Sequence, residues 1–324
     1  MRLKLSSFLQ LKINVFFYQK LGWDICLGYI LLLGKLYYLF NRKERERIAH
    51  SVEYVFKGYK SDYEIKKIKK NVFRGIFDHY FEKIYNAYEN IKELSLFFAD
   101  NIKVDSLYKL DEQLEKGKGI IFVTGHYGAV EYIPIFLGLK GYPITVIVKF
   151  ATKQLEHESI EKTKDMGIKV INAGEEKNIL GHINKELKSN RIVFIECDEI
   201  EEWRPSKKSR LLFLRKSIGL DRTIDIIQRR TGAATVFGIM HRYNLRQYRM
   251  IIKNSQDMLK SGESITRTIG EKVLKSLEEL IYRYPEEWYQ WKNYAMLQSI
   301  PMSDPRYVRP KSQYILEPVL SNVS

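Results

Sequence analysis

Sulfur is scarce in this chain. Its 324 residues include two cysteines, Cys26 and Cys197, far apart and in unlike surroundings. Neither a disulfide framework nor a cysteine zinc site can be built from them, and a reducing, cytoplasm-facing compartment fits. The six histidines (50, 79, 126, 157, 182 and 241) show no HExxH or paired-ligand spacing, so no metal site is expected. Acidic residues are also short, 39 against 54 Lys and Arg, for a net charge of +15. A field of that sign attracts anionic partners: nucleic acid, lipid head groups or an acidic protein. No helix-turn-helix, RNP or zinc-finger pattern accompanies the charge, which argues against nucleic acid. With 45% hydrophobic residues, the chain has enough apolar surface for one large core or two modest domains, and wholesale disorder is excluded.

A long uninterrupted apolar run is missing too. Residues 21–40 are strongly apolar, but Asp24 and Lys35 interrupt them. As a helix, 25–40 would span about 24 Å, short of the roughly 30 Å hydrocarbon core. No small-residue cleavage site follows, which makes a secretory signal peptide a poor reading. The basic-leaning cluster Arg42-Lys-Glu-Arg-Glu-Arg47 comes next and favours the cytoplasmic leaflet. An interfacial anchor, a marginal single span and a buried bundle helix all fit the apolar helix and basic flank of 1–50.

Ser61-Asp-Tyr-Glu64 has capping-box spacing. Ile65, Ile68, Val72, Ile76, Tyr80 and Ile84 follow at helical intervals, predicting an amphipathic helix to about Asn90 inside a helical lead-in over 51–116. The regime changes near Gly117. Runs at 120–124, 144–149, 168–171 and 191–195 read as strands, with helices over 129–139, 153–165 and 177–188 between them. Strands separated by helix-length crossovers predict an α/β fold, a mostly parallel mixed sheet flanked by helices. Beyond it, 206–217 reads as a basic loop and 221–231 as a helix. Two further strands, antiparallel, fall at 233–240 and 248–253. A long helix at 264–282 and a short aromatic one at 286–297 complete an α/β domain over 51–300. A proline-punctuated tail occupies 301–324.

The chemistry concentrates where the first strand ends, in Thr124-Gly-His126-Tyr-Gly-Ala-Val-Glu131. Carboxyl ends of parallel strands are where ligands and catalytic groups collect. His126 would project there, and Glu131 would enter the first turn of the next helix. A carboxylate so placed fixes an imidazole tautomer and stabilises the imidazolium formed on proton uptake. Exposed N–H groups at that helix start would suit a developing oxyanion. A structural histidine meets the same spacing. A dinucleotide fingerprint fails, because no glycine follows Gly128 at the required offsets and the next strand ends in Lys149 rather than an acid.

Val123-Thr-Gly-His126-Tyr-Gly-Ala-Val-Glu131 resembles the His-x4-acidic motif of lysophospholipid acyltransferases, and its context is most similar to the bacterial lipid A biosynthesis (late) acyltransferases. The likeness runs in order from about residue 10 to 300. It takes in Val146-Ile-Val-Lys149, Phe194-Ile-Glu-Cys-Asp198-Glu199, Arg229-Arg-Thr-Gly-Ala233 and Tyr284-Pro-Glu-Glu-Trp288-Tyr-Gln-Trp291. The resemblance implies a membrane-associated O-acyltransferase at the cytoplasmic face of the bacterial inner membrane, monotopic or with one N-terminal span. It implies transfer from an acyl thioester to a hydroxyl of a lipid A precursor-like glycolipid, with no cofactor and no acyl-enzyme. The donor would be linked to acyl carrier protein or coenzyme A, and the basic surface suits an acidic carrier. His126 would be the general base and Glu131 its orienting partner.

The departures concern substrate recognition. The family's arginine after the second strand is Lys149 here, keeping charge but losing the bidentate fork. Its Asp-Gln after the fourth strand is Asp198-Glu199, among Glu196, Glu201 and Glu202. A Phe-Phe-Gly-x-Pro type loop is replaced by Leu212-Phe-Leu-Arg215-Lys-Ser-Ile-Gly-Leu-Asp-Arg222, and Arg204 to Arg230 carries nine Lys/Arg against two Asp. Lys149, Asp198, Glu199, Arg215 and Arg222 are therefore the candidate substrate-binding residues. The competing readings are an acyltransferase for another lysophospholipid or an amino-acid lipid, and a non-catalytic basic protein that binds anionic membranes. The last explains the charge but not the histidine at a strand end.

Overall fold

A computed structural model describes residues 8–9, 11–20, 23–150, 152–244, 246–258 and 268–299. The tail 301–324 and the first residues of the helix expected at 264–282 lie outside these. The described residues up to 101 are mostly helical, as their periodicity predicts: α1 (Lys12–Lys20), α2 (Trp23–Phe40), α3 (Arg42–Phe56), α4 (Asp62–Tyr88) and α5 (Ile91–Asn101). The Ser61 capping box forms, with Ser61 accepting from Glu64 N–H and the Glu64 carboxylate accepting from Ser61 N–H. This satisfies two otherwise orphaned donors.

A seven-stranded sheet follows: β1 (Ile102–Val104), β2 (Ile120–Thr124), β3 (Ile144–Val148), β4 (Lys169–Asn172), β5 (Ile192–Glu196), β8 (Ala234–Arg242) and β9 (Tyr248–Lys253). Its order is β1-β9-β8-β2-β5-β3-β4. β8, β2, β5, β3 and β4 run parallel, and β9 turns back antiparallel on β8 with β1 beside it. The mostly parallel mixed sheet expected from the sequence is therefore present. β2 sits at its centre and is buried along its whole length, as a strand covered on both faces must be. Helices α6 (Tyr108–Leu114), α7 (Tyr132–Leu139), α8 (Lys153–Thr163), α9 (Ile179–Lys188), α10 (Thr223–Thr231) and α11 (Ile269–Arg283) connect and flank the strands.

Three expectations are corrected. The basic stretch 206–217 is no loop but part of a hairpin, β6 (Pro205–Phe213) with β7 (Lys216–Asp221). Its residues Leu211, Phe213, Ile218 and Leu220 are buried, and the cations of 204–210 that precede them give the segment the look of a basic loop. Its turn residues Leu214 and Arg215 both have positive φ, 45° and 69°, without the Asn-Gly or Gly that announces such turns. The aromatic segment 286–297 is a chain of 3-10 turns, Pro285–Glu287, Tyr289–Lys292 and Tyr294–Met296. Finally, the short β1 carried no sequence signal.

The closing turns pack against α4 closely enough that a Cβ on Gly75 would lie 1.8 Å from the Glu286 carbonyl oxygen. One hydrophobic core joins residues of the N-terminal helices, β2, β5, the hairpin, α11 and these turns. Along α2 the opposite face is open: Ile25, Leu32, Leu36, Leu39 and Phe40 are exposed, Phe40 by 82%. Among the described residues, no helix is long and apolar enough to cross a membrane.

Candidate active site

β2 and β5 lie side by side in parallel register, with Thr124 opposite Glu196. The ladder continues one step further through Cys197 N–H to the Thr124 carbonyl at 2.8 Å. The residues just beyond the two strands, Gly125-His126 and Cys197-Asp198-Glu199, are thereby brought together at the carboxyl edge of the sheet. Gly128 makes the turn after His126 possible. Its φ is +58°, and an added Cβ would meet the Met240 carbonyl oxygen at 2.0 Å, a position open only to glycine.

His126 is 6% exposed and is met by three carboxylates. Nδ1 lies 2.9 Å from Asp198 Oδ1, Nε2 lies 3.1 Å from Glu196 Oε2, and Nε2 lies 3.6 Å from Glu199 Oε2. The buried Asp198 is fixed in turn by the His126 backbone N–H, at 3.0 and 3.1 Å to its two oxygens, and by Trp288 Nε1–H at 2.7 Å. Tyr289 closes the far side. Its ring lies edge-on to His126 at 4.8 Å and stacks on buried His79 at 3.9 Å. Gln290 Nε2 approaches Nδ1 at 3.1 Å. A single Nδ1 cannot both donate to Asp198 and accept from Gln290. The ionised Asp198, with its three donors, is the stronger partner, so Nδ1 carries a proton directed at it.

Burial works against a charged His126, but Glu196 and Asp198 outweigh it and hold the imidazole pKa well above its ordinary value. Burial raises the Glu196 carboxyl, yet His126 and Lys83 more than offset it and leave its pKa lowered. The resting site thus holds an imidazolium between two carboxylates.

Glu131 sits just before α7, which begins at Tyr132 rather than Ala129. Its carboxylate meets Lys83 of α4 at 2.7 Å, and its carbonyl accepts from Asn86 Nδ2 at 3.0 Å. It is not among the carboxylates at the imidazole; the partner of Nδ1 is Asp198. Lys83 feels both Glu131 and Glu196, which together hold its pKa up against burial. Asp198, His126, Glu196, Lys83 and Glu131 thereby form a row of alternating charge. The N–H groups after His126 are turned away from it: Tyr127 donates to Gly125, Gly128 to Glu287 and Ala129 to Met240. None of the three is free for an oxyanion.

The remaining candidates scatter. Lys149 lies on the surface one residue past β3, 3.4 Å from Glu202. Arg222 lines a shallow cavity of about 230 Å³ with Arg204 and Asp221, apart from the histidine. Arg215 donates to the carbonyls of Tyr54 and Lys57 at 2.9 and 2.6 Å and so fastens the end of α3 to the hairpin turn. The sequence does not single out Lys83 or His79, because α4 offers nothing but helical periodicity, and Trp288, Tyr289 and Gln290 stand out only within the Tyr284–Trp291 resemblance.

A family model for bacterial lipid A biosynthesis acyltransferases matches residues 12–293, the span that holds every residue of this site. The chain belongs to this family. No individual curated protein matches it. As a lipid A biosynthesis acyltransferase it is of a membrane-associated kind.

Proposed function

We propose that this acyltransferase moves an acyl chain from a thioester, linked to acyl carrier protein or coenzyme A, to a hydroxyl of a lipid A precursor-like glycolipid. It would do so at the cytoplasmic face of the inner membrane, resting on the exposed face of α2. The observation that carries the reading is the clamped histidine. Asp198 accepts a hydrogen bond from Nδ1–H, and Nε2 points to the rim where Glu196 and Glu199 are 39% and 41% exposed in their side chains.

The acceptor hydroxyl enters where Glu196 Oε2 stands. As it is displaced, that carboxylate takes the Nε2 proton with it and releases it to water at the rim, which leaves His126 neutral and exposes the Nε2 lone pair. Nε2 then takes the hydroxyl proton as its oxygen attacks the thioester carbonyl. The tetrahedral intermediate collapses, its C–S bond breaks, and the departing thiolate receives the proton from Nε2. Asp198 orients the ring and stabilises the imidazolium, while Glu131 acts at one remove through Lys83 and Glu196. Lys149 and the cations of the hairpin remain proposed contacts for an anionic donor or acceptor, and Glu199 for a hydroxyl of the acceptor.

The test is mass spectrometry of glycolipid acceptors incubated with the protein and labelled acyl thioester. The expected result is a mass gain of one acyl group, abolished in His126→Ala. Acylation of lysophospholipids or amino-acid lipids alone would reassign the acceptor. Undiminished turnover in His126→Ala would overturn the assignment of the base.

A further inference from the structure

The rim of the site has a property that proton transfer does not use. Two carboxylates, Glu196 and Glu199, converge on the one nitrogen His126 Nε2, at 3.1 and 3.6 Å. Their nearest oxygens and Nε2 all lie within 4.8 Å of one another. A tetrahedral zinc ion with bonds of about 2.0 Å separates its ligand atoms by roughly 3.3 Å, so the set needs only small side-chain movements to close on an ion.

A second observation concerns the other side of the ring. Metal-ligating histidines characteristically donate their remaining N–H to a carboxylate, which fixes the tautomer and raises the basicity of the ligating nitrogen. Asp198 occupies that position at 2.9 Å and is itself locked by Trp288 and the His126 N–H. A single Nε2 proton satisfies one carboxylate well and leaves the other facing a like charge. A divalent cation satisfies all three groups at once. The partly exposed carboxylates leave a solvent-side position for water as the fourth ligand.

We propose that His126 Nε2, Glu196 and Glu199 bind a divalent cation of the zinc class, and that its occupancy switches the acyltransferase off. The inhibitory sense rests on the reading of His126 as base, since the metal takes the lone pair that must accept the hydroxyl proton. Imidazole with two carboxylates suits zinc, whereas magnesium prefers an octahedron of oxygens and retains its waters. The effect should be competitive with the acceptor, because both claim the space at Nε2.

The experiment uses the full chain in detergent micelles, stripped with chelator and titrated with zinc. Binding is read by equilibrium dialysis and turnover is followed in parallel. We expect one zinc per chain that is lost in the variants, turnover falling in step with occupancy, recovery on adding EDTA, and little response to magnesium. Raising the acceptor concentration should shift the inhibition midpoint upward. Glu199→Gln and Glu196→Gln, which preserve shape, should each weaken zinc binding at least about tenfold. Each variant's inhibition is normalised to its own zinc-free rate. Unchanged zinc affinity in both variants, or no stoichiometric binding to the unsubstituted chain, overturns the proposal. Stoichiometric binding lost in the variants, in preparations that transfer no acyl chain to any acceptor, would uphold the metal site and instead sink the reading of His126 as base.

Discussion

Replacing Asp198 by asparagine separates the partner that touches the imidazole from the partner expected by spacing. Asp198 receives the His126 backbone N–H at 3.0 and 3.1 Å, Nδ1 at 2.9 Å and Trp288 Nε1–H at 2.7 Å. Asparagine keeps the volume but turns one of those two acceptor atoms into an NH2 donor, which must face at least one of these donors. The ring can relieve the conflict by moving its proton from Nδ1 to Nε2, the tautomer that cannot act as base. General-base catalysis is worth about 10²–10⁴ in rate, so kcat should fall by about that factor, roughly 3–5 kcal/mol on the barrier. KM for the acceptor should barely change, because Asp198 lies on the side of the ring away from the opening. In contrast, Glu131→Gln removes a charge whose contact is with Lys83, 2.7 Å away, and should cost only about tenfold. The assay is single-turnover transfer of a labelled acyl chain, with thermal unfolding run on both variants so that rates are compared only where the protein is folded. If Glu131→Gln matches His126→Ala while Asp198→Asn stays within about threefold of the unsubstituted chain, the assignment of the orienting partner is wrong.

Arg215→Ala should lower stability by about 1–2 kcal/mol through loss of its bonds to the α3 carbonyls, with acceptor KM unchanged; a large KM increase at full stability would return Arg215 to substrate recognition. Gly128→Ala, with its Cβ 2.0 Å from the Met240 oxygen at φ +58°, should destabilise by about 3 kcal/mol, read from the urea midpoint, and a loss under about 1 kcal/mol would show that the turn relaxes freely. Leu39→Glu with Phe40→Glu, two residues of the open face of α2, should reduce partition onto anionic vesicles at least about tenfold while sparing transfer to detergent-dispersed acceptor. Unaltered vesicle binding would move membrane contact elsewhere.

Much of this architecture is legible in the sequence because its strands are short, β-branched and separated by helix-length spacers. β2 falls at 120–124 and β9 at 248–253 as read, and the Ser61 capping box is visible as four letters. The hairpin β6–β7 is not legible because the first half of β6 is basic and exposed, without a period-two apolar pattern, and its turn is built from Leu214 and Arg215 rather than glycine. Half of the site follows the same rule. His126 is placed by the end of β2, which periodicity predicts. Its true partner is placed by the pairing of β2 with β5, and sequence spacing carries no information about which strands become neighbours. Thus Glu131, five residues away along the chain, pairs with α4, and Asp198, 72 residues away, reaches the ring.

The closing turns supply Trp288 to Asp198 and Tyr289 and Gln290 to His126, so the centre is completed from residues made near the end of the described chain. On the reading of His126 as base, a chain that stops short of Trp288 keeps the histidine but lacks the groups that hold Asp198 and close the far side of the ring. A C-terminally clipped or stalled product would be silent rather than indiscriminate toward the lipids around it.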